Sequence, residues 1–328
     1  MNQPIDEFSL ISDYFKELTG QQNVAVGIGD DAAIIDIKAD KQIAVATDTL
    51  VASVHFPKDA SAEHIATRAL CVNLSDMAAM GATPKWFTLA LTIPKQLACS
   101  EWLQGFSQGL ARIAGEYNVS LIGGDTTAGP LSISITVLGE IPTGRGLCRK
   151  GAKPDDIIYV SGTLGDGAAA LHQIQHQDLA QNTRLTERFY KPKPQIELGV
   201  GLVNYASACI DISDGLVADL SHLCKASSVS ASINSQSLPI HADIKQAYSK
   251  QVSQWALTGG DDYQLCFTVP SIRQEQFERW ACSAKFVVTT IGKIAALDHN
   301  QNYLKIDNQT SSITAEVYSH FRYLPYDD

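Results

Sequence analysis

Aspartates recur along this chain beside glycines and at the ends of apolar runs. They are Asp30-Asp31 in Gly-Ile-Gly-Asp-Asp-Ala, Asp48 in Ala-Thr-Asp-Thr-Leu, Asp76 in Asn-Leu-Ser-Asp-Met-Ala and Asp125 in Gly-Gly-Asp-Thr-Thr. Further on come Asp211 and Asp214 in Asp-Ile-Ser-Asp-Gly, and Asp261-Asp262 in Gly-Gly-Asp-Asp-Tyr. Aspartate and glycine also make ordinary turns, and for any one member of the set that reading is as good as a functional one. Asp76 resists it. It falls inside a helical pattern among Leu74, Met77, Ala78 and Ala79, where an unpaired carboxylate is costly to desolvate. Positions 72, 73, 79 and 80 are Val, Asn, Ala and Met, so no cation on its own helix can pair with it. A structural partner from elsewhere or a metal ion must do so, and the metal is the better reading. Two unit charges ~4 Å apart repel by about 4 kcal/mol at an effective dielectric of about 20, so convergent acids need cations among them. Oxygen ligands without a histidine or cysteine cluster favour Mg²⁺ or Ca²⁺ over zinc. Magnesium is usually held by a few carboxylates together with phosphate oxygens and water. The pattern therefore reads as a nucleoside triphosphate site built from aspartates.

Other phosphate-binding schemes are absent. Gly27-Ile28-Gly29-Asp30-Asp31-Ala32 formally matches a dinucleotide fingerprint. No clear strand precedes it, and it sets two negative charges where a pyrophosphate would approach. No G-x-x-x-x-G-K-[ST] occurs, nor the H-R-D and D-F-G pair of protein kinases. Gly162–Gly167 resembles a phosphate cradle at a helix N-terminus and equally a tight strand-to-helix turn; no ligand is assigned to it.

The elements that must carry these acids alternate along the chain. Ile43–Thr47 reads as a buried strand ending at Asp48, and Ser61 caps a helix that runs to Gly81. Lys85–Ile93 reads as a strand and Trp102–Tyr117 as an amphipathic helix. Val119–Ile122 is a strand entering Gly123-Gly124-Asp125, and Leu131–Ile141 alternates as another. Gly144–Lys153, rich in glycine and basic residues, is the expected domain junction. Beyond it, strands are expected at Ile157–Val160, Ala208–Ile212, Tyr263–Val269 and Phe286–Ile294, with helices at Ala168–Ile174 and Leu216–Ala226. Two α/β domains fit the 328 residues.

Composition narrows the partners. The 25 Lys and Arg against 35 Asp and Glu give a formal charge of -10, which argues against nucleic acid. No apolar stretch is long enough to cross a bilayer, and the first residues lack the basic and apolar regions of a secretory signal. Seven scattered cysteines with no C-x-x-C pair read as reduced, buried thiols. A cytoplasmic location is expected.

Taken in order, these motifs resemble the thiamine-monophosphate kinase family, within the superfamily of aminoimidazole ribonucleotide synthetase and selenophosphate synthetase. The resemblance is carried by Gly-Ile-Gly-Asp-Asp-Ala near residue 30, Thr-Asp-Thr-Leu-Val-Ala-Ser-Val-His-Phe at 47–56 and Asn-Leu-Ser-Asp-Met-Ala-Ala-Met-Gly-Ala at 73–82. It continues through Leu-Ile-Gly-Gly-Asp-Thr-Thr at 121–127, Arg-Lys-Gly-Ala-Lys-Pro at 149–154, Ile-Asp-Ile-Ser-Asp-Gly-Leu at 210–216 and Gly-Gly-Asp-Asp-Tyr at 259–263. It implies a two-domain α/β (α+β) fold of the aminoimidazole ribonucleotide synthetase type. Residues 1–150 would bind ATP and magnesium and pair strands across a homodimer; residues 151–328 would complete the nucleotide and substrate site. It implies further that Asp30, Thr47, Asp48, Asp76, Asp125, Asp211 and Asp214 hold several Mg²⁺ ions. Gly124, Asp125, Arg149 and Ser213 would contact ATP, and His55, Asp261 and Tyr318 the thiamine monophosphate. The implied reaction is direct in-line phosphoryl transfer without a phospho-enzyme. Its acceptor is already an ionised phosphate oxygen, so no side-chain base is expected. Three positions depart from the family pattern. Ala46 stands where Ser or Thr is common, leaving only a backbone carbonyl for metal; Asp261 replaces a glutamate; Gln264 stands where Glu is common. Aminoimidazole ribonucleotide synthetase would share the aspartates but phosphorylate an amide oxygen, and a catalytically silent nucleotide-binding protein is the rival from another class.

Overall fold

A computed structural model describes residues 11, 13–18, 23–28, 32–176, 183–297, 303–307, 309 and 310. Asp30 and Tyr318 lie outside the described residues. Contacts divide the chain into two units, residues 1–77 with 82–146, and residues 78–81 with 147–328.

In the first unit, β1 (Val24–Val26) and β2 (Ile34–Ile35) form a small antiparallel pair. A strand therefore does lead into Gly27, contrary to the sequence expectation; three residues with partial burial are too few to show a period. The main sheet holds β3 (Lys41–Val51), β4 (Thr83–Ile93), β5 (Ser120–Ala128) and β6 (Ser132–Pro142) in the order β3-β6-β4-β5. Strand β6 lies antiparallel to both β3 and β4, whereas β4 and β5 run parallel. The alternation of β6 buries Ile133, Ile135, Val137 and Ile141, the pattern of a strand with one face on a core. Between the strands run α1 (Ala62–Ala79) and α2 (Ser100–Tyr117). Helix α2 buries Leu103, Phe106, Leu110 and Ile113 at three- and four-residue spacing. It stops where Asn118 turns left-handed at φ 52°, its N–H bonded to Ala114 and Gly115 carbonyls.

Two strand readings needed extension. Strand β3 runs on to Val51, so Asp48 sits within a strand and not at its end. Strand β5 passes straight through Gly123-Gly124-Asp125, after a bulge that places one extra residue between the Phe87–Leu121 and Thr88–Gly123 pairs. The ladder with β4 supplies hydrogen bonds that local turn propensity cannot foresee.

The second unit is a seven-stranded sheet packed on both faces. Its strands are β7 (Ile157–Ser161), β8 (Ala208–Asp211), β9 (Val229–Ile233), β10 (Leu265–Val269), β11 (Val288–Ala296), β12 (Leu304–Ile306) and β13 (Gln309–Thr310), in the order β13-β12-β9-β11-β7-β10-β8. All neighbours are antiparallel except β9 and β12. Ile158, Val160 and Cys266 face one core, while Ile157, Tyr159 and Phe267 face the other. Helices α3 (Asp166–His176), α4 (Thr183–Tyr190), α5 (Ile196–Leu202), α6 (Leu216–Ser227), α7 (Ala242–Ala247), α8 (Val252–Thr258) and α9 (Gln274–Ser283) complete the unit. No helix among the described residues is long and apolar enough to cross a membrane.

Candidate functional site

Helix α1 organises the acidic site of the first unit. The Asn73 side chain accepts a hydrogen bond from the backbone N–H of Asp48 (3.0 Å) and donates its own N–H to the Ala69 carbonyl (2.9 Å). One turn on, Asp76 and Asp48 share a side-chain hydrogen bond. Two carboxylates in hydrogen-bond contact must hold a proton or a cation between them. Burial pushes the Asp48 carboxyl above its ordinary value, against the opposing effect of the Asp76 hydrogen bond. The partner that Asp76 lacks on its own helix is thus another acid, and a hard cation is what this oxygen pair fits. Toward its N-terminus, the buried Arg68 donates through Nε to the His55 carbonyl (3.0 Å). The Val51 N–H donates to His55 Nδ1 (2.9 Å). An imidazole whose Nδ1 accepts carries its neutral-form proton on Nε2, the nitrogen suited to donate to a phosphate oxygen.

Across the same unit, Gly123, Gly124 and Asp125 line a cavity of about 590 Å³ with Thr88, Leu89 and Phe15 among its other walls. Gly124 has to be glycine: a Cβ there would lie 1.9 Å from the Leu89 carbonyl oxygen. Asp48 and Asp76 are not among the lining residues.

In the second unit, three loops meet backbone to backbone. The turn Ser213-Asp214-Gly215 is gathered by one oxygen of Asp219, which accepts all three N–H groups at 3.0–3.1 Å. Burial, with Asp211 and Asp214 nearby, pushes the Asp219 carboxyl up to about 8 although the Asp214 and Ser213 N–H groups oppose this. The Gly162–Gly167 turn is filled in the same way: the Asp262 carboxylate accepts from Gly165 N–H (2.7 Å) and Gly167 N–H (3.0 Å). The cradle at this helix start therefore holds a carboxylate of the chain itself. Between these turns lies Asp261, whose N–H donates to the Ser213 carbonyl (2.9 Å) and whose Oδ1 accepts from Tyr263 Oη (3.0 Å).

A family model for the N-terminal domain of AIR synthase related proteins matches residues 29–141. The corresponding C-terminal domain model matches residues 153–304. The thiamine-monophosphate kinase of Salmonella typhimurium is 42% identical over 321 residues, covering 96% of this chain and 98% of that one. The chain belongs to the thiamine-monophosphate kinase family. Among solved structures, the crystal structure of thiamine-monophosphate kinase from Stenotrophomonas maltophilia K279a is 39% identical at a TM-score of 0.84, covering 92% and 97% of the two chains. AaThiL complexed with AMPPCP and TMP is 31% identical at 0.76, covering 95% and 97%.

The family-derived residues fall into these two groups unevenly. Asp48 and Asp76 are joined, and Gly124 and Asp125 share the cavity wall. Asp211, Ser213, Asp214 and Asp261 gather in the second unit. The Thr47 hydroxyl lies on the opposite sheet face from Asp48, paired with Thr136 Oγ1 at 2.9 Å. The Arg149 carbonyl accepts from Ser227 Oγ (3.0 Å), at the far end of α6 from Ser213. The neighbour of Arg149, Cys148, accepts through its carbonyl from the Cys209 N–H (2.9 Å) on β8, the strand that leads to Ser213. Among the described residues, no three His, Cys, Asp or Glu side chains form one metal-sized cluster. Sequence reasoning passed over Asp219 and, while naming Asp262 among the recurring acids, gave it no role. Asp219 was discoverable by the argument used for Asp76, since it too interrupts an apolar helix, Leu-Val-Ala-Asp-Leu.

Proposed function

We propose that this protein transfers the γ-phosphoryl group of ATP to thiamine monophosphate, giving thiamine diphosphate and ADP. An oxygen of the thiamine phosphate attacks the γ-phosphorus in line, and the bond to the β,γ-bridging oxygen breaks. The acceptor oxygen is already ionised, so no side chain need remove a proton. The observation that carries the reading is the Asp48–Asp76 carboxylate pair on β3 and α1. Such a pair is an unfavourable arrangement in a protein that binds no cation. Family membership, and AaThiL complexed with AMPPCP and TMP as a relative of 31% identity, support the choice of both substrates.

Asp48 and Asp76 would hold Mg²⁺ in the first unit, with Asp125, and Asp211 and Asp214 would do so in the second. The ions supply the positive charge that lets two polyanions approach. Thr47 and Ala46 would contribute only backbone carbonyls, given the Thr47 hydroxyl's pairing with Thr136. Gly124, Ser213 and Arg149 would meet ATP, and His55 would donate Nε2–H to the phosphate of thiamine monophosphate. Asp261 would face the same substrate with a reach one methylene shorter than glutamate. A homodimer fits the sheet edge, because β3 is an eleven-residue edge strand with Val45 61% exposed.

The test is an incubation with Mg²⁺, ATP and thiamine monophosphate. Thiamine diphosphate and ADP should appear in equal amounts, and EDTA should stop both. Nucleotide binding with no phosphate reaching thiamine monophosphate overturns the reading.

A further inference from the structure

Arg188, on α4, is absent from every motif discussed so far. Its Nη2 donates to the backbone carbonyl of Asp262, the residue immediately after the proposed substrate contact Asp261. The hydrogen-bond network orients the buried Gln264 amide with its oxygen 2.6 Å from the same Nη2 and its nitrogen 2.7 Å from Ser161 Oγ. Arg188 Nη1 is buried with no partner among the described residues. A side chain kept for packing alone would be Met or Leu, since a half-buried guanidinium with an unsatisfied nitrogen is costly. Its directed hydrogen bonds are the compensating gain.

The loop it grips is strained. Asp261 and Tyr263 both hold left-handed backbone, at φ 67° and 48°. Non-glycine residues keep such conformations only when their surroundings over-determine them. Several contacts among the described residues do so here. Asp261 N–H is bound to Ser213 and Tyr263 N–H to the Ile212 carbonyl (2.7 Å). The Asp262 carboxylate is fixed by Gly165 and Gly167. A Cβ on Gly167 would lie 2.5 Å from the Asp261 carbonyl carbon, so the turn and the loop touch directly. Arg188 adds a further hold on the loop at the Asp262 carbonyl.

We infer that Arg188 is a positioning residue for thiamine monophosphate: through the Asp262 carbonyl it sets where the Asp261 carboxylate points. This rests on the proposed kinase activity and on Asp261 meeting the substrate. The experiment is a double-mutant cycle of Arg188→Met and Asp261→Ala, with Arg188→Lys as the conservative variant. Steady-state kinetics are read against both substrates, and melting temperature is measured alongside. Arg188→Met should raise KM for thiamine monophosphate about tenfold while KM for ATP stays within about threefold, and the Asp261 substitution should then add little. Arg188→Lys keeps the charge but loses the planar fork; it should fold normally and recover part of the KM. Effects on kcat/KM that multiply in the double mutant overturn the inference, as does an Arg188→Lys enzyme with unchanged KM. If Arg188→Met does not fold, the KM of Arg188→Lys decides alone. A wild-type protein that makes no thiamine diphosphate overturns the proposed function and this inference with it; an active wild type with independent effects overturns only the inference.

Discussion

Replacing Asp219 by asparagine should make the metal-free protein more stable than wild type at pH 8 while changing it little at pH 4. Asp219 is 3% exposed and gathers three N–H groups on a single oxygen, a task that an asparagine carbonyl oxygen performs in the same place. What asparagine lacks is the charge. Burial and the neighbouring Asp211 and Asp214 push the Asp219 carboxyl to about 8, so the folded state holds this proton far more tightly than the unfolded chain does. The resulting stabilisation is whole below about pH 4 and is lost as pH rises from about 4 to about 8. From the ordinary 3.8 to about 8, at about 1.4 kcal/mol per pH unit, the loss is on the order of 5 kcal/mol. A change of that size moves a melting temperature by roughly 10 °C. The assay is thermal denaturation of both proteins in EDTA at several pH values between 4 and 8. On the proposed function, Mg²⁺ at Asp211 and Asp214 would neutralise the charges that keep the proton on, so saturating Mg²⁺ should narrow the gap at pH 8. Melting temperatures that run parallel across the whole range refute the reasoning.

Other perturbations separate site from scaffold. Asp48→Asn should leave melting in EDTA unchanged or slightly raised, because it removes one of two facing acids, and should abolish thiamine diphosphate formation; near-normal turnover would remove Asp48 from the metal site. Asp262→Asn presents an amide nitrogen to one of two glycine N–H groups, and the lost bond and the buried donors left facing each other should cost about 2–4 kcal/mol, read by urea denaturation. Gly109→Ala should destabilise by about 1–3 kcal/mol, since its Cβ would lie 2.6 Å from the Glu63 carbonyl oxygen on α1. Gly115→Ala on the same helix meets nothing within 4 Å and should stabilise by about 0.5–1 kcal/mol; equal effects at the two glycines would contradict the packing of α1 against α2.

Helix α2 and strand β6 were legible because an apolar face against a core leaves a period in the sequence: Leu103, Phe106, Leu110 and Ile113 on one, Ile133, Ile135 and Val137 on the other. Strand β5 was legible only as far as Ile122. Gly123-Gly124-Asp125 has turn composition, and its ladder partners on β4 lie more than thirty positions away. The need of Asp76 for a partner was legible, because an acid in an apolar helix needs an explanation. The same logic reaches Asp219 but not Asp262, which sits where a turn acid is unremarkable.

The sequence alone determined the ordered motifs by which the chain resembles the thiamine-monophosphate kinase family, because residue type and local spacing survive without coordinates. It also determined where the periodic helices and strands lie. Only the tertiary structure decided that Asp76 faces Asp48, that Thr47 turns away from it, and that the apparent phosphate cradle at Gly165 and Gly167 is filled by Asp262. The physical reason is that each of these depends on a partner distant in the chain: Asp262 and Gly165 are separated by 97 residues. A hydrogen bond across such a gap leaves no period or composition in either segment; it exists only once both have folded.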